Sequence, residues 1–166
     1  YAKIALDLLG QPIKKENISE KNSARWKENY DLLFNVYFEI AEASYINTEY
    51  EECETLVEIC IPYCKNVLDK SKIYTIKVRS LIAQNKLREA IESSFPMLEE
   101  LGIKLPRNPN KLFVGLGLVK SILKYSDKKI MNMDKLPKLT DNNNYAAFDL
   151  MLTIGGSAYL TMPDLN

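Results

Sequence analysis

A seven-residue pattern that returns after 37 residues restricts what this chain can fold into more than any other feature. N-T-E-Y-E-E-C occupies 47–53 and Q-N-K-L-R-E-A occupies 84–90, so Tyr50 and Leu87 stand 37 residues apart (87 − 50). Each copy places a large side chain three residues before a small one, Tyr50 before Cys53 and Leu87 before Ala90. On a helix that spacing puts both on one face. The large residue wedges between paired helices, and the small one lets their backbones approach. The preceding segments echo each other as well: I-A-E-A-S-Y-I at 40–46 matches I-G-G-S-A-Y-L at 154–160, an offset of 114 residues (154 − 40), read as three units of 38. Lys77-Val78…Leu81 and Val114-Gly115…Leu118 fall in the same register between them, and Leu6…Leu9-Gly10 echoes Leu98…Leu101-Gly102.

Hydrophobic periodicity says what each unit is made of. From Tyr30 to Ile46 the polar residues Asp31, Asn35, Glu39 and Glu42 share one helical face, while Leu33, Phe34, Tyr37, Ile40, Ala41 and Ser44 take the other. A second helix is expected over about 49–68, with Tyr50, Cys53, Val57, Cys60, Ile61, Cys64 and Leu68 inward. A third covers 71–84, a fourth 86–101, a fifth 111–125 and a last one runs to Leu160 behind a Thr140 or Asp141 cap. Gly102 supplies a left-handed stop, and Pro62 and Pro96 are expected to kink the helices that hold them. Nothing alternates as a strand would. Paired helices at a period in the upper thirties define the tetratricopeptide class of solenoid. The expected fold is therefore all-α, a right-handed solenoid of antiparallel helix pairs in one segment over 1–166. Residues 1–28 end a preceding unit, 29–70, 71–109 and 110–140 form units, and 141–166 a partial one.

Four stretches resemble a particular family: W-K-E-N-Y-D-L-L-F-N-V-Y-F-E-I-A-E-A-S-Y (26–45), A-Q-N-K-L-R-E-A-I (83–91), L-E-E-L-G-I-K-L-P (98–106) and L-P-K-L-T-D (136–141). Together they are similar to the helical-repeat region of large bacterial signalling proteins of the predicted-ATPase, multi-sensor serine/threonine–histidine kinase type. In that family a kinase-like domain precedes an AAA/STAND-type nucleotide-binding domain, repeats follow, and a GAF sensor and a histidine kinase often close the chain. The matching motifs are packing motifs, so the resemblance implies a region and not an activity. No G-x-x-x-x-G-K-[ST] loop, no kinase catalytic loop and no histidine is present to receive the family's catalytic roles.

Residue chemistry points the same way. Equal numbers of basic and acidic side chains, 22 each, remove any global electrostatic case for nucleic acid or an anionic membrane. No apolar run reaches the roughly 20 residues of a membrane helix. Three cysteines are an odd number crowded into one stretch, which fits a reducing, cytoplasmic setting better than a disulfide framework. Cys53, Cys60 and Cys64 lie seven and four apart on one helical face; a tetrahedral zinc site needs a fourth ligand, and packing is the expected role. The acidic run Glu39, Glu42, Glu49, Glu51, Glu52, Glu54 and Glu58 reads as a solvated face.

Between 103 and 138 nine basic residues (Lys104, Arg107, Lys111, Lys120, Lys124, Lys128, Lys129, Lys135 and Lys138) face only Asp127 and Asp134, a solvated or partner-contacting surface. Gly115-Leu116-Gly117 and Gly155-Gly156 sit in helical patterns, where close helix approach is the expected reason for them. Trp26, Tyr30 and Tyr37 are expected in the core.

The expected function is a non-catalytic scaffold or sensor module of a cytoplasmic signalling protein, with no catalytic residue, no metal site and no cofactor. Its partners would be other proteins or neighbouring domains of the same chain. A peptide-binding adaptor is the alternative, with Asn35, Lys77 and Arg79 as scattered clamp candidates. The last helix carries Tyr145, Phe148, Leu152, Ile154, Tyr159 and Leu160 but only Asp149 as a charge between 145 and 162, so it is expected to expose an apolar strip and self-associate.

Overall fold

A computed structural model describes residues 2–8, 20–107, 116, 119–120 and 138–161. In order the elements are α1 (Ala2–Leu8), α2 (Glu20–Glu28), α3 (Tyr30–Ile46), α4 (Tyr50–Cys60), a 3-10 turn (Ile61–Tyr63), α5 (Val67–Ala83), α6 (Leu87–Glu100) and α7 (Asn142–Thr161). The described residues contain no strand. Helix pairs pack side by side: α3 on α4, α4 on α5, α5 on α6, with α3 also touching α5. α7 meets both α5 and α6 directly, and α1 and α2 lie against α3.

The period is visible in the backbone. α3 and α5 are each 17 residues long and start 37 apart, at Tyr30 and Val67. α4 and α6 start 37 apart, at Tyr50 and Leu87. Between the members of each pair the chain turns on a left-handed residue, Thr48 at φ 64° and Asn85 at φ 59°. Both turns close with the same two bonds. Thr48 N–H donates to the Tyr45 carbonyl and Glu49 N–H to that of Ser44, as Asn85 N–H does to Ile82 and Lys86 N–H to Leu81. This paired bonding satisfies the carbonyls that a helix leaves open at its C-terminus. Cys53 and Ala90, the small residues of the pattern, have no exposed area at all.

Two cores result. Around α3 and α4 the core is aromatic, with Trp26, Tyr30, Phe34 and Tyr37 buried beside Leu56, Ile59 and Ile73. Trp26 stacks on Tyr63 at 4.7 Å between ring centroids, which ties α2 to the 3-10 turn. Around α5, α6 and α7 the core is aliphatic: Val78, Leu81, Met97, Leu98, Leu150 and Ile154.

The inward face expected for 30–46 is the buried one, from Leu33 through Ser44. Gly102, at φ 90°, ends α6 with Ile103 N–H on the Leu98 carbonyl at 2.8 Å. Asp141 caps α7, its Oδ1 accepting from the Asn143 and Asn144 amides.

Four expectations fail. The helix predicted over 49–68 stops at Cys60, because Pro62 lacks the amide hydrogen that a further α turn requires. Leu68 therefore belongs to α5, which starts at Val67 rather than at 71 behind an Asn66 cap. Pro62 terminates rather than kinks. Gly155 and Gly156 are exposed, and a Cβ added at either would meet nothing within 4 Å, so close helix approach does not account for them. The fifth helix predicted at 111–125, with Gly115 and Gly117, lies almost wholly outside the described residues.

Candidate functional site

The polar groups with most organisation gather where the first helix pair hands over to the second. α5 begins after only three residues beyond the 3-10 turn, and Asn66 caps it: the Asp69 amide donates to Asn66 Oδ1 at 2.8 Å, and Asn66 Nδ2 returns a bond to Asp69 Oδ2 at 2.8 Å. Tyr30, at the start of α3, reaches the same carboxylate. Its hydroxyl donates to Asp69 Oδ2 at 2.7 Å and accepts the Lys65 amide at 3.1 Å. The Lys65 ammonium sits 4.1 Å above the Tyr30 ring centroid, an attractive placement for a cation over an aromatic face. Burial is the main cause that pushes the Tyr30 phenol above its ordinary range, with the neighbouring Asp69 carboxylate adding to it.

Asp69 also faces outward. Its second oxygen lies 3.8 Å from Lys72 Nζ. Together these two residues, with Asn66 and Thr75, form the α5 wall of a cleft whose other wall is Tyr145 and Asp149 of α7. The cleft has a volume of about 360 Å³, within the range that small ligands or a short peptide side chain occupy. It carries both charge signs on a largely apolar lining, so it suits a binding role. The hydroxyls of Ser71 and Thr75 in its lining donate to the Leu68 and Ser71 carbonyls at 2.8 and 2.9 Å.

The cysteines divide into two sets. Cys53 is buried, and that burial pushes its thiol up. Cys60 and Cys64 stand together at the end of α4. The neighbouring Cys64 sulfur and burial hold Cys60 well above its ordinary value, and the Cys60 thiol holds Cys64 below its own. Cys64 Sγ lies 3.6 Å from the Cys60 carbonyl oxygen. Among the described residues no three His, Cys, Asp or Glu side chains are arranged to hold a metal ion.

The remaining candidates disperse. Trp26, Tyr30 and Tyr37 are core, not groove. Lys77 lines a narrow crevice with Glu54 and Gln84, on the α4 side of α5 and away from the cleft. Asn35 is exposed and Arg79 half-buried. In the acidic run Glu39, Glu49, Glu51 and Glu54 are exposed and Glu42, Glu52 and Glu58 half-buried. Of the basic stretch, Lys104, Arg107, Lys120 and Lys138 are exposed, with Arg107 5.8 Å from the Phe95 ring centroid. Lys111, Lys124, Lys128, Lys129 and Lys135 lie outside the described residues. The junction itself escaped sequence reasoning. Its legible signal was Asn66 followed three residues later by Asp69, a helix-start pattern hidden inside what read as a continuous apolar period.

Comparison with known proteins gives one informative likeness. Over 108 residues, 65% of this chain, the sequence is 27% identical to a hybrid signal transduction histidine kinase G of Dictyostelium discoideum. The matched stretch spans only 3% of that protein. No family model matches the chain, and no solved structure matches it. No described helix is long and apolar enough to cross a membrane.

Proposed function

We propose that this chain is a non-catalytic helical-repeat module of a cytoplasmic signalling protein of the ATPase and multi-sensor kinase type, where it holds neighbouring domains or a partner protein in register. The likeness to a short stretch of a hybrid histidine kinase carries the reading. A helical piece that amounts to a few per cent of a large signalling chain suits a spacer or sensor better than an output domain. The 37-residue recurrence of helix starts and of left-handed turns supports a tetratricopeptide-like stack. In such a stack each unit packs only on its neighbours, so a change at one junction can pass along it. The contacts of α7 with both α5 and α6 support reading α7 as the opening helix of the next unit. Its exposed Tyr145, Phe148, Leu152, Tyr159 and Leu160 are then the surface on which a following helix or a second copy would rest.

Two assays test this. The purified chain should neither hydrolyse ATP nor phosphorylate itself, and turnover that co-purifies with it through successive columns would end the proposal. Ala90→Trp, which forces a bulky ring between α5 and α6, should alter the signalling output of the protein that carries this segment while leaving its separated output domain unchanged.

The cleft between α5 and α7 favours a second reading, a peptide-binding adaptor, with Asp69, Lys72 and Asp149 as the polar contacts. A peptide that binds only while Lys72 and Asp149 are intact would move that reading ahead.

A further inference from the structure

α6 and α7 turn different outer faces to solvent. The exposed residues of α6 include Arg88, Glu89, Glu92, Glu99 and Glu100, the charged surface that a solvated helix carries. α7 is buried on one side through Ala147, Leu150, Ile154 and Ser157. On its other side Tyr145, Phe148, Leu152 and Tyr159 are each more than half exposed, with Gly155 and Gly156 exposed among them. Asp149 is the only charge of the helix. Two adjacent glycines weaken a helix interior, and a Cβ built on either would meet nothing within 4 Å. Packing among the described residues therefore gives no reason for them.

We propose that this face pairs with the same face of a second copy of the chain, α7 against α7, antiparallel about a two-fold axis at Leu152. This pairing presupposes that the exposed α7 face is a docking surface, as proposed for the helical stack, and names its occupant. The spacing carries it. Tyr145, Phe148, Leu152, Gly156 and Tyr159 stand 3, 4, 4 and 3 residues apart, steps that are the same in either direction. A two-fold contact demands that symmetry, because when residue i of one copy meets j of the other, j also meets i. A helix of different sequence laid on α7 would place no such demand.

With the axis at Leu152, Tyr145 lies level with Tyr159 of the second copy, and Phe148 lies level with its Gly156. The Phe148 ring then enters the open space over Gly156, large against small, once on each side of the axis. Asp149 falls level with Gly155 of the second copy and not with its own counterpart, so no like charges oppose each other. The four large side chains offer roughly 600 Å² per copy, the lower edge of the about 1,200–2,000 Å² in total that a stable pair buries.

The test uses the whole chain, in sedimentation velocity over a range of concentrations. The unaltered chain should form a dimer that dissociates on dilution. Leu152→Glu and Leu152→Lys should each be monomeric, because like charges then meet at the axis, and an equimolar mixture of the two should recover the dimer. Leu152 is exposed, so both variants should fold, with unchanged far-ultraviolet circular dichroism. Gly156→Gln, which favours the helix and meets nothing within one copy, should weaken the dimer about tenfold. The melting temperature of the dilute monomer should hold or rise in the same variant. A chain that is monomeric throughout, charge variants that stay paired, a mixture that does not recover the dimer, or a dimer indifferent to Gly156→Gln overturns the proposal. A monomer would assign the face to a helix of other origin and leave the repeat reading standing, since that reading depends on the α3–α4 and α5–α6 pairs.

Discussion

The two helix pairs, α3–α4 and α5–α6, begin alike and end differently. Their first helices have equal length, their turns share backbone angles, and their second helices start on the same beat. At their ends they diverge: α6 runs three residues further, to Glu100 and the left-handed Gly102, where α4 stops and Pro62 turns the chain into α5. The two pairs agree at the turn and at the buried small residues Cys53 and Ala90. They differ where the chain leaves the pair. The polar junction built on Tyr30, Lys65 and Asp69 occupies that place in the first pair alone.

The largest test of the contrast lies in the cores. Tyr37 and Tyr74 are equivalent by the 37-residue shift, yet Tyr37 is wholly buried and Tyr74 only partly. Tyr37→Ala should cost about 3–5 kcal/mol, as large aromatic deletions in packed cores do. Tyr74→Ala should cost less than half of that in the same urea titration. Equal losses would mean that the two cores are energetically the same despite their different fillings.

Next in size is the hydroxyl of Tyr30, whose counterpart Val67 has none. Tyr30→Phe strands the Lys65 amide and removes one bond from Asp69, which should cost about 1–3 kcal/mol. The burial-raised phenol also sets a pH dependence. A group kept neutral in the fold supports stability fully below its unfolded value of 10.0 and loses that support as pH climbs above it. Tyr37 is raised as well, so the Phe variant should flatten the alkaline fall in melting temperature without abolishing it.

Smallest is the turn. Thr48 holds a β-branched side chain in a left-handed conformation that Asn85 tolerates better. Thr48→Gly should stabilise by about 1 kcal/mol, and Asn85→Gly by a few tenths at most. A reversed order in thermal melts would break the equivalence of the two turns.

Much of this architecture was legible in the sequence because short-range physics wrote it. The Tyr30–Ile46 face, the Gly102 stop, the Asp141 cap and the 37-residue beat depend on residues within a few turns of one another. The helix predicted across 49–68 failed because Ile61, Cys64 and Leu68 keep a helical apolar spacing through a segment that is no longer one helix. Proline decided the matter against the pattern. The junction was illegible for a different reason: Tyr30 and Asp69 are 39 residues apart, and nothing local in either announces the other. Gly155 and Gly156 misled because glycine in a helical pattern suggests close packing, whereas here both face open space. α7 stands directly beside α5 and α6.

That contact pattern bears on how such a chain tolerates change in length. From the end of α6 at Glu100 to the start of α7 at Asn142 the chain travels 41 residues (101–141), against three (64–66) between the 3-10 turn and α5. Yet α7 docks on its neighbours as directly as α5 does. The entropy lost in closing a flexible segment rises only with the logarithm of its length, so doubling it costs about 0.6 kcal/mol. A single buried leucine outweighs that. A few extra residues placed directly before the Asp141 cap should therefore cost the docking of α7 far less than loss of a single buried side chain such as Leu150.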